Sequence, residues 1–121
     1  MNYKVTESDG LKYIECVSGD VLFANESDAL EAVVFCHENN TNMSLLFAEC
    51  ISDDFFKLST GLAGAIIQKL VNYGIQTALV ASDEIVNQGK FSEMVSEANR
   101  GSQFRTFPNR IDAERWFVDN R

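Results

Sequence analysis

The sequence predicts an α/β fold: one domain, with an N-terminal β-hairpin followed by alternating helices and strands around a mixed central sheet flanked by helices. Three observations lead there. Two short extended segments flank an Asp-Gly turn near the start of the chain. Residues 43–48 and 75–81 are nearly unbroken apolar runs, as expected of strands covered on both faces. The stretch between those runs carries a helical apolar stripe and ends at Gly74. Strand, helix and strand in that order make a parallel crossover unit, expected to be right-handed. At 121 residues, with one proline and no Pro/Gly/Ser-rich linker or repeat, the chain reads as a single domain over 1–121.

The elements follow in order. Residues 3–7 and 11–17 read as strands around Ser8-Asp9-Gly10, because Asp-Gly tolerates the positive φ of a hairpin turn. Ser18-Gly19-Asp20 is a second turn and residues 21–24 a short extended piece. Asn25 or Ser27 can cap a first helix whose Leu30, Val33, Val34 and His37 recur at i, i+3, i+4 and i+7. Glu26, Asp28 and Glu31 crowd its first turns, where the helix dipole favours negative charge. Asn39-Asn40-Thr41-Asn42 ends it. The second helix, over about residues 60–73, presents Leu62, Ala63, Ile66, Ile67, Leu70 and Val71. Residues 82–90 are polar and read as a loop. Phe91, Met94, Val95 and Ala98 mark another helix, closed by Asn99-Arg100-Gly101. Residues 103–107 form a last strand. Asn109 caps a final helix that turns Ala113, Trp116 and Phe117 inward onto the sheet.

Composition excludes several functions. The net charge of −8 opposes sequence-independent binding to phosphate backbones, so nucleic acid is not an expected partner. No apolar run is long enough to span a membrane, and the first residues carry no apolar signal segment; the expected location is cytoplasmic. Acidic residues concentrate early: residues 1–60 hold 11 acidic and 3 basic side chains, residues 61–121 hold 7 of each. Such a face suits a basic protein partner, and equally serves solubility. Cys16, Cys36 and Cys50 are odd in number and none forms a CxxC pair, so they read as reduced thiols. Cys16 and Cys36 fall in core patterns, while Cys50 follows a strand and could be reactive.

Chemistry in an open α/β sheet collects at the carboxyl ends of its parallel strands. Glu49 and Cys50 follow one apolar run there, and Ser82 and Asp83 the next. Between them lies the densest group of unusual residues: Asp53, Phe55, Phe56, Ser59, Thr60, Gly61 and Gly64. Ser59 and Thr60 stand where the long helix begins and its first N–H groups lack internal partners. They can cap it, or they can help those groups receive an anion. Gly61 and Gly64 each cost about 1 kcal/mol against Ala in a first turn, which suits close packing or the approach of something from outside. The order of residues is not that of a nucleotide-binding phosphate loop. Glu49, Asp53, Asp54 and Asp83 could gather for a hard metal or acid–base work, or lie solvated on loops. The only histidine, His37, belongs to the apolar stripe of the first helix and reads as packed. With no histidine or cysteine partner in a ligating pattern, neither a metal nor a cofactor is expected.

The run Asp53-Asp54-Phe55-Phe56-Lys57-Leu58-Ser59-Thr60-Gly61-Leu62-Ala63-Gly64, continued by Gln68-Lys69 and Asn72-Tyr73, resembles a bacterial family of domains of unknown function, family 4180. That family's pattern is roughly D-F-F-x-L-x-T-G-L-A-G-x-x-x-Q-K-x-x-N-Y. Asn99-Arg100-Gly101 is similar to its N-x-G, and the resemblance extends along the whole chain. It implies no activity and no cofactor. The layout also resembles, more distantly, the STAS domains of anti-sigma-factor antagonists. The resemblance places Thr60 at the phospho-acceptor position of their D-S-S-G-L-G motif, with Leu58 where those proteins have Asp.

Two functional expectations result. The first is a non-catalytic regulatory or protein-interaction module whose contact surface is the start of the long helix with Phe55 and Phe56; exposed aromatics there would also suit a homodimer. The alternative is a small-molecule binder or enzyme with a pocket among Glu49, Asp53, Thr60 and Asp83.

Overall fold

The computed structural model describes residues 3–8, 10–16, 24–51, 57, 61–82, 84 and 103–120. Strands β1 (Tyr3–Ser8) and β2 (Leu11–Cys16) form the hairpin, with Gly10 at φ 79° in the turn. Helix α1 (Glu26–Glu38) leads to β3 (Met43–Phe47), and helix α2 (Leu62–Asn72) to β4 (Gln76–Val80). Strand β5 (Phe104–Phe107) and helix α3 (Arg110–Asp119) complete the described chain. The five strands form one sheet in the order β1-β2-β3-β4-β5. Only β1 is antiparallel to its neighbour; β2 to β5 are parallel. The expected mixed α/β sheet with a leading hairpin is therefore present.

Strand periodicity divides the core in two, because successive side chains point to opposite faces. Ile14, Cys16, Leu46, Leu79 and Phe104 meet α1 and α2 on one face. Leu11, Tyr13, Met43, Leu45 and Ala78 meet Ala113, Trp116 and Phe117 of α3 on the other. Tyr13 packs on Phe117 with ring centroids 5.5 Å apart, and Trp116 lies as close to Phe107. The inward residues of α3 are those its spacing predicts. Covered on both sides, β3 and β4 are apolar throughout except for Ser44, Gln76 and Thr77. Ser44 and Thr77 share a buried 2.8 Å hydrogen bond across the two strands, which satisfies both hydroxyls.

The caps explain where α1 and α3 begin. The Asn25 side chain accepts from the Asp28 N–H while the Asp28 carboxylate accepts from the Asn25 N–H, a reciprocal capping box. The Asn109 side chain accepts from the Asp112 N–H at 2.9 Å. Past α2, Gly74 takes φ 72° and its N–H returns to the Val71 carbonyl, closing the C-terminus as expected.

Four expectations are corrected. Helix α1 buries Ala29, Ala32, Val33 and Cys36; Leu30, Val34 and His37 are exposed. Both sets have the same spacing, one residue apart, and the inward set is the smaller one because α1 must fit against the sheet and α2 together. Helix α2 begins later than residue 60, and its N-cap is Gly61 at φ 70° rather than a hydroxyl residue. Cys50 is fully buried, not surface-reactive. Glu84, expected in a loop, is helical. The extended piece at 21–23, the helix at 91–98 and the turn at 99–101 lie outside the described residues. Among the described residues no helix is long and apolar enough to cross a membrane.

Candidate functional site

The parallel strands end together at one edge of the sheet, at Cys16, Phe47, Val80 and Phe107. Two groups of residues stand there, one on each face.

On the α1/α2 face, a 3-10 turn (Ala48–Cys50) follows β3, and the chain returns at Gly61 to start α2. Glu49 is exposed, while Cys50 and Ile51 turn inward. Gly61 adopts a left-handed conformation that side-chain-bearing residues rarely take. It and Gly64 are exposed, and a Cβ built on either meets no described atom within 4 Å. Among the described residues, nothing covers the helix start on its solvent side. The glycines are not there to let α2 approach the sheet, which it meets through Ala63, Ile66 and Leu70.

On the α3 face, a polar network surrounds Glu15. This carboxylate is buried in the central part of the sheet, with its side chain 3% exposed. Lys4 reaches it across the hairpin at 3.0 Å, and Arg110 Nη1 donates to its other oxygen. The same Nη1 donates to the Tyr13 hydroxyl at 2.8 Å, and that hydroxyl donates to Glu114 at 2.8 Å. The guanidinium also lies 5.3 Å from the Phe47 ring centroid. Burial pushes the Glu15 pKa up, but hydrogen bonds from Arg110 and Lys4 and their charges outweigh it, and the net shift is downward. Burial, then the bond to Glu114, pushes the Tyr13 hydroxyl up to about 12 against the opposing effect of Arg110. Two carboxylates, two cations and the Tyr13 hydroxyl form one connected network, and the buried Glu15 carboxylate is paired on both oxygens. Such a connected buried network fixes the geometry of the groups in it.

The family model described as Domain of unknown function (DUF4180) matches residues 8–117. The chain belongs to that family. Neither the curated proteins nor the solved structures contain a significant match to it.

Of the site residues expected from sequence, the structure of this DUF4180 domain brings Gly61, Gly64 and Glu49 to the same end of the sheet, all exposed. Asp53, Phe55, Phe56, Ser59, Thr60 and Asp83 lie outside the described residues, as does Asp54. Among the described residues no group of three or more His, Cys, Asp and Glu side chains is placed to hold a metal ion. Sequence reasoning missed the Glu15 network. Its signal was available: Tyr13 and Glu15 share a face of β2 with Leu11, and a carboxylate on a buried face needs a cation. Which cation could not be read, since Arg110 is 95 residues away in sequence.

Proposed function

We propose that this DUF4180 domain is a non-catalytic interaction module that docks a protein partner on the solvent side of the α2 start. The observation that carries the reading is the side-chain-free strip at Gly61 and Gly64, exposed at the carboxyl edge of the sheet and continued by exposed Gln68. Gly64 lowers intrinsic helix stability without serving internal packing among the described residues, which suits a surface kept bare for contact. The partner would present a backbone or small side chains against the glycines. Its charge would be basic, to match exposed Glu49 and the net charge of −8.

Thr60 immediately precedes this strip. By its register with the STAS phospho-acceptor, its phosphorylation would place about −1.5 to −2 charges beside the bare helix start and alter partner affinity.

The test compares affinity capture by the wild-type chain, Gly64→Arg, Thr60→Ala and Thr60→Glu, each checked by circular dichroism and melting temperature. A partner retained by wild type and lost with folded Gly64→Arg supports the reading. Identical retention by wild type and Gly64→Arg removes the surface. Identical retention by both Thr60 variants removes the switch.

A further inference from the structure

Helix α1 leaves two apolar residues at the surface, one turn apart. Val34 is 52% exposed and Leu30 36%, and neither belongs to a core cluster. Helices α1 and α2 run in the same direction, because each returns from the end of one parallel strand to the start of the next. They pack side by side, and Glu26 of α1 bridges Lys69 of α2 at 3.1 Å. One turn further along each helix stand Leu30 and Tyr73, and Tyr73 is 50% exposed. The bridge therefore sets Leu30, Val34 and Tyr73 around one surface, where α1 meets the C-terminal end of α2. Exposed apolar residues scattered singly are ordinary; three gathered over one helix–helix seam make a patch.

Acidic side chains border that patch. At about 3.6 residues per turn, Glu31 and Glu38 fall beside Val34 on the side of α1 away from Glu26 and α2, and both are exposed. Among the described residues neither forms an ion pair, whereas Lys69 is already matched by Glu26. We propose that this surface docks a basic amphipathic helix of a partner protein. Apolar side chains of that helix, spaced at i and i+3 or i+4, cover Leu30, Val34 and Tyr73, and Lys or Arg beside them meets Glu31 and Glu38. A second copy of the chain does not fit, since each carries a net charge of −8 and two acidic α1 faces oppose one another. Anionic lipid and nucleic acid are repelled for the same reason. Because Val34 lies outside the core, covering it serves association rather than folding. This surface is separate from the strip at Gly61 and Gly64, which belongs to the opposite end of α2.

The test titrates the full chain with a synthetic helical peptide that carries Leu at alternating third and fourth positions and Lys elsewhere. Its controls are a peptide of the same composition in scrambled order and one with Glu in place of Lys. Backbone amide shifts locate the site, and the titration gives the affinity. The expected result is shifts centred on Leu30, Val34 and Tyr73, with much weaker binding of the scrambled peptide and none of the Glu peptide. Val34→Ser should keep the wild-type melting temperature and bind about tenfold more weakly. The double variant Glu31→Lys, Glu38→Lys should lose affinity and most of its salt dependence, and it decides the matter should Val34→Ser not fold. Gly64→Arg should bind the peptide as wild type does, which separates this surface from the one at the α2 start. Absence of binding, equal binding of the scrambled peptide, or shifts centred away from α1 would overturn the proposal.

Discussion

Arg110 Nη1 donates to the carboxylate of Glu15, joining the first turn of α3 to the second strand. Asn109 caps α3 and Trp116 and Phe117 anchor its far half, while Arg110 pins its start over Phe47. Glu15 is buried and Arg110 partly exposed, so the two sides of the pair are not equivalent.

Arg110→Ala leaves a buried carboxylate with only Lys4 as its cation. It should cost about 2–3 kcal/mol, below the full range for buried pairs because the guanidinium side is hydrated. Glu15→Gln removes the charge that needs compensation and should cost less, about 1–2 kcal/mol. Urea unfolding of both variants measures the difference, and equal costs would contradict the asymmetry.

The same pair sets an acid limit. The Glu15 carboxyl lies below its ordinary value of 4.5 in the folded protein, so the unfolded chain takes up the proton first. Its stabilisation is complete above that ordinary value and fades as pH falls through the folded one. Unfolding free energy measured below pH 4.5 should decline less steeply in Glu15→Gln than in wild type.

At the alkaline end the sign is reversed in cause but not in outcome. Burial and the bond to Glu114 raise Tyr13 from 10.0 to about 12. Burial also raises the Cys36 thiol from 9.0 to about 12. The folded state holds these protons longer than the unfolded chain does, so stability is fully present below the ordinary values and falls as pH climbs toward 12. Tyr13→Phe should flatten the upper part of that fall, read by melting temperature against pH.

The two glycines of the α2 start should respond in opposite directions to alanine. At Gly61, φ is 70° and a Cβ is strained despite open space, so Gly61→Ala should cost about 1 kcal/mol. Gly64 has ordinary helical backbone and open space around a Cβ, so Gly64→Ala should stabilise by about 0.5–1 kcal/mol. A destabilised Gly64→Ala protein would mean that close packing, not an exposed strip, explains the residue.

The inward face of α1 is tested in the same way. Ala32 is fully buried and Ala32→Leu should overpack the helix against its neighbours, costing about 1–3 kcal/mol. Val34 is 52% exposed and Val34→Ser should stay within about 0.5 kcal/mol of wild type. Thermal melts of the two variants separate this face from the one hydropathy alone selects.

Local chemistry was legible without coordinates wherever a residue's neighbours in sequence were also its partners. The Asp-Gly hairpin, the Asn25 and Asn109 caps, the Gly74 terminator and the apolar runs of β3 and β4 are of that kind, and with them came the α/β class. Tertiary structure alone decided the rest, because it depends on what each face meets. Leu30-Val33-Val34-His37 and Ala29-Ala32-Val33-Cys36 are equally periodic, and only the space beneath α1 selects the smaller set. Glu15 with Arg110 is a pair made by a strand and a helix brought together near one edge of the sheet. Its contact energy has no trace in sequence spacing, since the partners lie 95 residues apart and only the arrangement of the elements joins them.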